Sequence, residues 1–124
     1  MRTIFVFGSN RKGWHGAGAA LHALRYKGAI YGQAEGLQGD SYGIVTKELR
    51  RDYADVDLEE VKAGVKTFLH FAASRLDLVF ELTPIGCGLA GFSPKEIAPL
   101  FENSSPNVVL PQMFIDSLYD HQSP

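Results

Sequence analysis

The chain has a single cysteine among its 124 residues. No internal disulfide can form, and a reducing, cytoplasmic setting is the expectation. A dense basic run is also missing. Lysine and arginine (12) are outnumbered by aspartate and glutamate (14), for a net charge of −2. That balance lacks the field needed to grip duplex nucleic acid, although a small nucleotide needs no such field. No stretch has the length and apolarity of a membrane span, so no membrane partner is expected. The opening residues Met1–Gly8 are too short for a signal peptide and read as a first strand. His22, His70 and His121 keep no metal-type spacing with carboxylates or with Cys87, so neither a metal nor a cofactor is expected.

Apolar residues make up 45% of the chain and aromatics 11%, which suits one globular domain over residues 1–124. Residues 117–124 read as a short frayed tail. Thr3–Phe7 is a β-branched and aromatic run closed by Gly8-Ser9-Asn10, the pattern of a buried strand ending in a loop. Helix formers and an apolar stripe at Ala20, Leu21 and Leu24 predict a helix over Ala17–Tyr26, stopping near Gly28. Ala29–Tyr31 reads as a short strand, Gly32–Asp40 as a loop and Ser41–Thr46 as a strand. Leu58–Ala73 carries the clearest helical period, with Asp57 as its N-cap. Leu78–Thr83 and Asn107–Leu110 read as strands, Pro94–Phe101 and Gln112–Tyr119 as helices. Strands alternating with helices argue for an α/β layer fold with a mixed, largely parallel sheet.

Thirteen glycines cluster in the loops rather than the elements. Gly86-Cys87-Gly88-Leu89-Ala90-Gly91 follows an apolar strand, and Ser93-Pro94 then opens a helix with an N-cap and a proline at its first position. Strand, glycine loop and helix N-terminus in that order suit an anion, because glycines let backbone N–H groups approach it. The G-x-G-x-x-G spacing alone is a weak pattern, and a tight turn packed closely is the plain alternative. The loops at 8–18 and 86–91 both follow strands, so both are expected at the carboxyl edge of the sheet, where ligands of such folds sit. Backbone, more than side chains, would then surround the ligand.

Taken together, Asn10-x5-Gly16-Ala17-Gly18-Ala19-Ala20-Leu21 and Ile85-Gly86-Cys87-Gly88-Leu89-Ala90-Gly91 resemble the macrodomains, modules that bind ADP-ribose and its derivatives. The likeness covers most of the chain at low overall similarity. It implies a three-layer α/β/α fold, with Asn10 near the distal ribose and the backbone of Gly86–Gly91 around the diphosphate. Gly8, Ser9, Gly16, Ala17, Gly18, Ile85 and Phe92 complete the implied ligand-binding set. The second loop is most similar to the branch that removes ADP-ribose from DNA or glutamate. In that branch a catalytic lysine and an aspartate fall on Ala17 and Ser93 of this chain, which can supply neither nucleophile nor carboxylate. The aspartate that meets adenine in the family is also replaced, within Gly8-Ser9-Asn10.

Three further side chains are candidates for catalysis by positioning water: Asn10, His15 and Asp40. A loop histidine is more often a surface residue, and Asp40 more often finishes a turn, as does Gln38. Trp14 suits either stacking on a base or packing on the scaffold. Arg11 and Lys12 place charge near the pocket mouth or form a solvated pair. Cys87 reads as a small packing residue, and the acidic run from Asp52 to Glu60 as a solvated helix approach. The leading expectation is a binder of ADP-ribose or a related nucleotide, free or on an ADP-ribosylated macromolecule. The alternatives are a hydrolase of an ADP-ribosyl linkage or an ADP-ribose phosphate, and a protein-interaction domain with structural glycine loops.

Overall fold

A computed structural model describes residues 1–120. Its centre is a mixed five-stranded sheet of order β2-β3-β1-β4-β5. The strands are β1 Arg2–Asn10, β2 Gly36–Gln38, β3 Ser41–Lys47, β4 Leu78–Leu82 and β5 Val108–Val109. The helices are α1 Gly18–Tyr26, α2 Leu58–Ser74, α3 Pro94–Ile97 and α4 Gln112–Asp120, with a 3-10 turn over Ala98–Phe101 after α3. β1 pairs in parallel with both β3 and β4, β5 continues parallel to β4, and only β2 runs antiparallel, to β3.

Alternation along β1 divides the interior into two layers. Ile4 and Val6 point into the larger core, which gathers Tyr42, Ile44, Phe80 and the α2 stripe Val61, Val65, Phe68 and Ala72. Ile97, Ala98, Phe101 and Phe114 close that core from α3, the 3-10 turn and α4. Phe7 points the other way and packs with Ala20, Ala23 and Ala29 beneath α1. Helices therefore cover both faces, a three-layer α/β/α arrangement. The second face is thin because α1 meets the sheet through alanines. Gly43 lets the 29–36 loop close down on that face, since a Cβ there would sit 2.7 Å from the Ala34 carbonyl oxygen.

Helix ends follow local chemistry. The Asp57 side chain accepts from the Glu60 N–H and caps α2. Ser93 and Glu96 form a reciprocal capping box ahead of Pro94. The expected helix over Pro94–Phe101 is instead split, with α3 tightening into the 3-10 turn around Pro99. Proline has no N–H to give, so the α-helical ladder stops short of it. Ala29–Tyr31 forms no strand: Gly28 and Gly32 bracket it with positive φ, and Ile30 donates its N–H to the Gln38 side chain rather than to a neighbouring strand. The supposed loop 32–40 contains β2, which turns back through Gly39 (φ 60°) into β3. Residues 117–120 are not a frayed tail but the last turn of α4, with Ser117 buried. The rest of the expected tail lies outside the described residues.

Phe68 is fully buried and meets the rings of Tyr42, Phe80 and Phe101 at centroid distances of 5.0, 5.3 and 6.3 Å. It joins α2 to the sheet and to the 3-10 turn. Phe68→Ala is expected to cost about 3–5 kcal/mol, seen as a lower urea midpoint with little change in slope.

Candidate functional site

Because β1, β3 and β4 run the same way, their carboxyl ends meet on one edge of the sheet. A cavity of about 470 Å³ opens there. Gly8–Asn10, Gly16–Gly18 and Ile85–Ala90 all line it, so both glycine loops share one pocket. The volume falls in the ordinary range for a small-molecule site.

The first loop is braced from within. The Asn10 side chain accepts from the Trp14 N–H and donates to the Trp14 carbonyl, each at 2.9 Å. Both ends of the amide are thereby used to close the turn, and Asn10 faces the cavity as part of its frame. Ala17 stands at the N-cap of α1 without a capping side chain. Gly18, Ala19 and Ala20 line the cavity, and their N–H groups have no backbone or side-chain acceptor among the described residues. An uncapped helix start facing a cavity favours negative charge.

The second loop is folded on itself. Thr83 donates from N–H and hydroxyl to the Val6 carbonyl, at 3.0 and 2.7 Å, which carries the chain over the end of β1. Gly86 has φ 74°, and its carbonyl accepts from the Phe92 N–H at 2.8 Å. Gly91 donates to the Gly88 carbonyl at 3.0 Å. The N–H groups of Gly88, Leu89 and Ala90 between them make no bond to a described residue. Gly8 is needed for the close approach of β1 to this loop. A Cβ on it would lie 3.1 Å from the Thr46 hydroxyl and 3.6 Å from the Gly86 nitrogen.

Several expected site residues lie elsewhere. His15 is fully buried and not at the surface: its Nε2 lies 3.0 Å from the Gln33 carbonyl and 3.3 Å from Gln38 Oε1, and its ring stands edge-on to Phe7. It serves as internal packing and does not face the cavity. Asp40 sits at the opposite edge, where its carbonyl accepts from Phe5 and its carboxylate takes the Arg2 guanidinium at 2.6 Å. The chain reaches it before β3 begins, and therefore at the wrong end of the sheet. Asn10, His15 and Asp40 are thus not brought together. Gly91 and Phe92 lie outside the cavity wall, because the loop turns inward and Phe92 packs on the core. Gln38 is spent on the backbone of residues 30–36.

Other residues arrive that no local pattern announced. Thr46, Lys47 and Leu49 reach the cavity from the end of β3, and Met113 from α4. Trp14, Leu49, Leu89 and Met113 are all substantially exposed, Leu89 at 81%, and together they give the pocket an apolar rim. Arg11 does not stand at the mouth. It bridges Glu60 on α2, with nitrogens at 2.5 and 3.0 Å, and also reaches Glu48 at 3.3 Å. The acidic run is correspondingly engaged, with Asp55 bound to Lys47, Asp57 capping α2 and Glu60 on Arg11. Cys87 lines the cavity, and burial, reinforced by Glu96, pushes its thiol above the usual value, away from the reactive thiolate. Among the described residues lining the cavity there is no aspartate, glutamate or histidine.

Glu48 anchors the segment that carries Leu49 past the pocket. Its carboxylate, almost wholly buried, accepts from the Arg50 side chain and N–H and from Arg11. Hydrogen bonding to Arg50, then the Arg11 contact, lowers its pKa from 4.5 to about 2 despite burial. A carboxyl depressed on folding contributes stability above its unfolded value and loses it as the pH falls through the folded one. Glu48→Gln is therefore expected to be less stable than the parent at neutral pH. The difference should shrink as the pH drops from about 4.5 to about 2, which urea melts across that window will read.

No protein-family model, no curated protein and no solved structure matches the chain.

Proposed function

We propose that the chain is a macrodomain-like module whose cavity holds ADP-ribose or a related nucleotide diphosphate, without need of catalysis. The observation that carries this reading concerns Gly16 and Gly88. Each lines the cavity from a different loop, neither has positive φ, and a Cβ built on either meets nothing within 4 Å. Neither chain conformation nor packing demands a glycine there. Room for a ligand is a reason for glycine at both positions. N–H groups on the second loop and at the start of α1, unbonded among the described residues, suit phosphate oxygens, and the apolar rim suits a base and sugar faces.

A hydrolytic role has less support, since the wall carries no carboxylate or imidazole to activate water. The purely structural reading of the glycine loops fits Gly91 (φ 83°) but not Gly88. A single cysteine suits the cytoplasm, where such nucleotides would be met. No described helix is long and apolar enough to cross a membrane.

Titration calorimetry with ADP-ribose tests the reading. Gly88→Val is expected to lower affinity at least about tenfold, a loss of about 1.4 kcal/mol or more, with an unchanged melting temperature. Gly91→Val should do the reverse, losing about 1–2 kcal/mol of stability through its left-handed backbone while binding survives in the folded fraction. Absence of ADP-ribose binding at millimolar concentration would reject the proposal.

A further inference from the structure

Lys47 is the one residue with a charged side chain among the described residues that line the cavity. It is the last residue of β3 and lies opposite Asn10 in the parallel register. β3 and β4 flank β1 on opposite sides, so Lys47 and the 85–90 loop form opposite walls. At about 4.8 Å per strand those walls stand about 10 Å apart at their bases. One wall offers neutral backbone N–H groups, and the other carries a lysine whose ammonium is paired with Asp55.

The lysine is held in place. Its Nζ donates to Asp55 Oδ2 at 2.9 Å, and its side chain is mostly covered. Asp55 is itself fixed, since Oδ1 accepts the N–H of Val56 at 2.9 Å and of Glu48 at 3.3 Å. The Lys47 carbonyl accepts from the Arg11 N–H at 3.1 Å, and the neighbouring Glu48 is clamped by Arg11 and Arg50. An ammonium has three N–H donors, and Asp55 is the one partner for them among the described residues. Two donors stay available on a stem whose position is set by its neighbours, so little ordering remains to be done when an anion arrives.

We propose that Lys47 is the residue through which this cavity distinguishes a phosphate-bearing ligand from an uncharged nucleoside. The inference rests on the nucleotide reading above and adds to it a specificity-determining side chain. Backbone N–H groups favour any acceptor oxygen, neutral or charged. An ammonium with donors left over beside Asp55 favours ionised over neutral oxygen, and its attraction weakens with salt.

The test compares ADP-ribose with adenosine on the parent protein, Lys47→Met and Lys47→Arg, at low and high salt. Lys47→Met is expected to weaken ADP-ribose about ten- to a hundredfold, to leave adenosine unaffected and to flatten the salt dependence. Lys47→Arg should keep most of the affinity, because the charge is retained. If Lys47→Met binds ADP-ribose as tightly as the parent with the same salt dependence, the role of Lys47 is overturned while the nucleotide reading stands. A second measurement needs neither a variant nor a nucleotide: the Lys47 ammonium resonance followed by NMR during titration with inorganic pyrophosphate. A saturable shift of that resonance supports the cation site even if ADP-ribose fails to bind, in which case only the nucleotide reading falls. No shift overturns it.

Discussion

Both neighbours of β1 run in its own direction, so its two rows of amides and carbonyls are consumed by parallel pairing. Parallel strands must each return by a crossover on a face of the sheet, which places α1 and α2 where they are. It also compels the segments after β1, β3 and β4 to emerge side by side. The cavity is the space between them. Thr83 strengthens the arrangement by bonding back to Val6, which draws the second loop across the end of the central strand.

The walls of the cavity divide their work. Backbone supplies the β4 side, where folded glycine turns leave successive N–H groups without acceptors among the described residues. The β3 side carries a lysine bound by the exposed Asp55, next to the buried Glu48 that Arg11 and Arg50 clamp. Apolar side chains from three loops and α4 form the rim. Backbone amides, one lysine and an apolar rim thus share a single cavity. Among the described residues of the wall there is no aspartate, glutamate or histidine.

Polar residues in the loops turn out to maintain the frame. Asn10 and Gln38 spend their hydrogen bonds on neighbouring backbone, His15 engages Nε2 while its buried Nδ1 has no partner among the described residues, and Asp40 spends its charge on Arg2. A loop lined with glycine has little intrinsic rigidity, since glycine loses the most conformational freedom on ordering. The side-chain amides compensate by pinning the backbone at fixed points. Buried polar groups of this kind are costly unless satisfied, and the loop carbonyls satisfy most of them.

Local pattern was sufficient for much of this protein. The period of Leu58–Ser74, its Asp57 cap, the capping signal at Ser93 and the strand–glycine-loop succession at 78–91 each depend on residues a few positions apart, and hydrophobic alternation then implies an α/β layer fold. The same local signals identified most of both loops that line the cavity. Tertiary structure decided the rest. Whether His15 faced solvent, ligand or core depended on Phe7 and on Gln38, 23 residues away. Asp40 was placed by the direction of β3, a property of strand pairing that no short segment contains. Lys47 is the clearest case. As the end of an unremarkable strand it carries no motif, and it becomes a wall of the cavity because parallel pairing sets it beside Asn10 and Asp55 then holds it there. Chain-local energetics specify elements and caps, while charge and burial at a site are properties of what distant segments bring together.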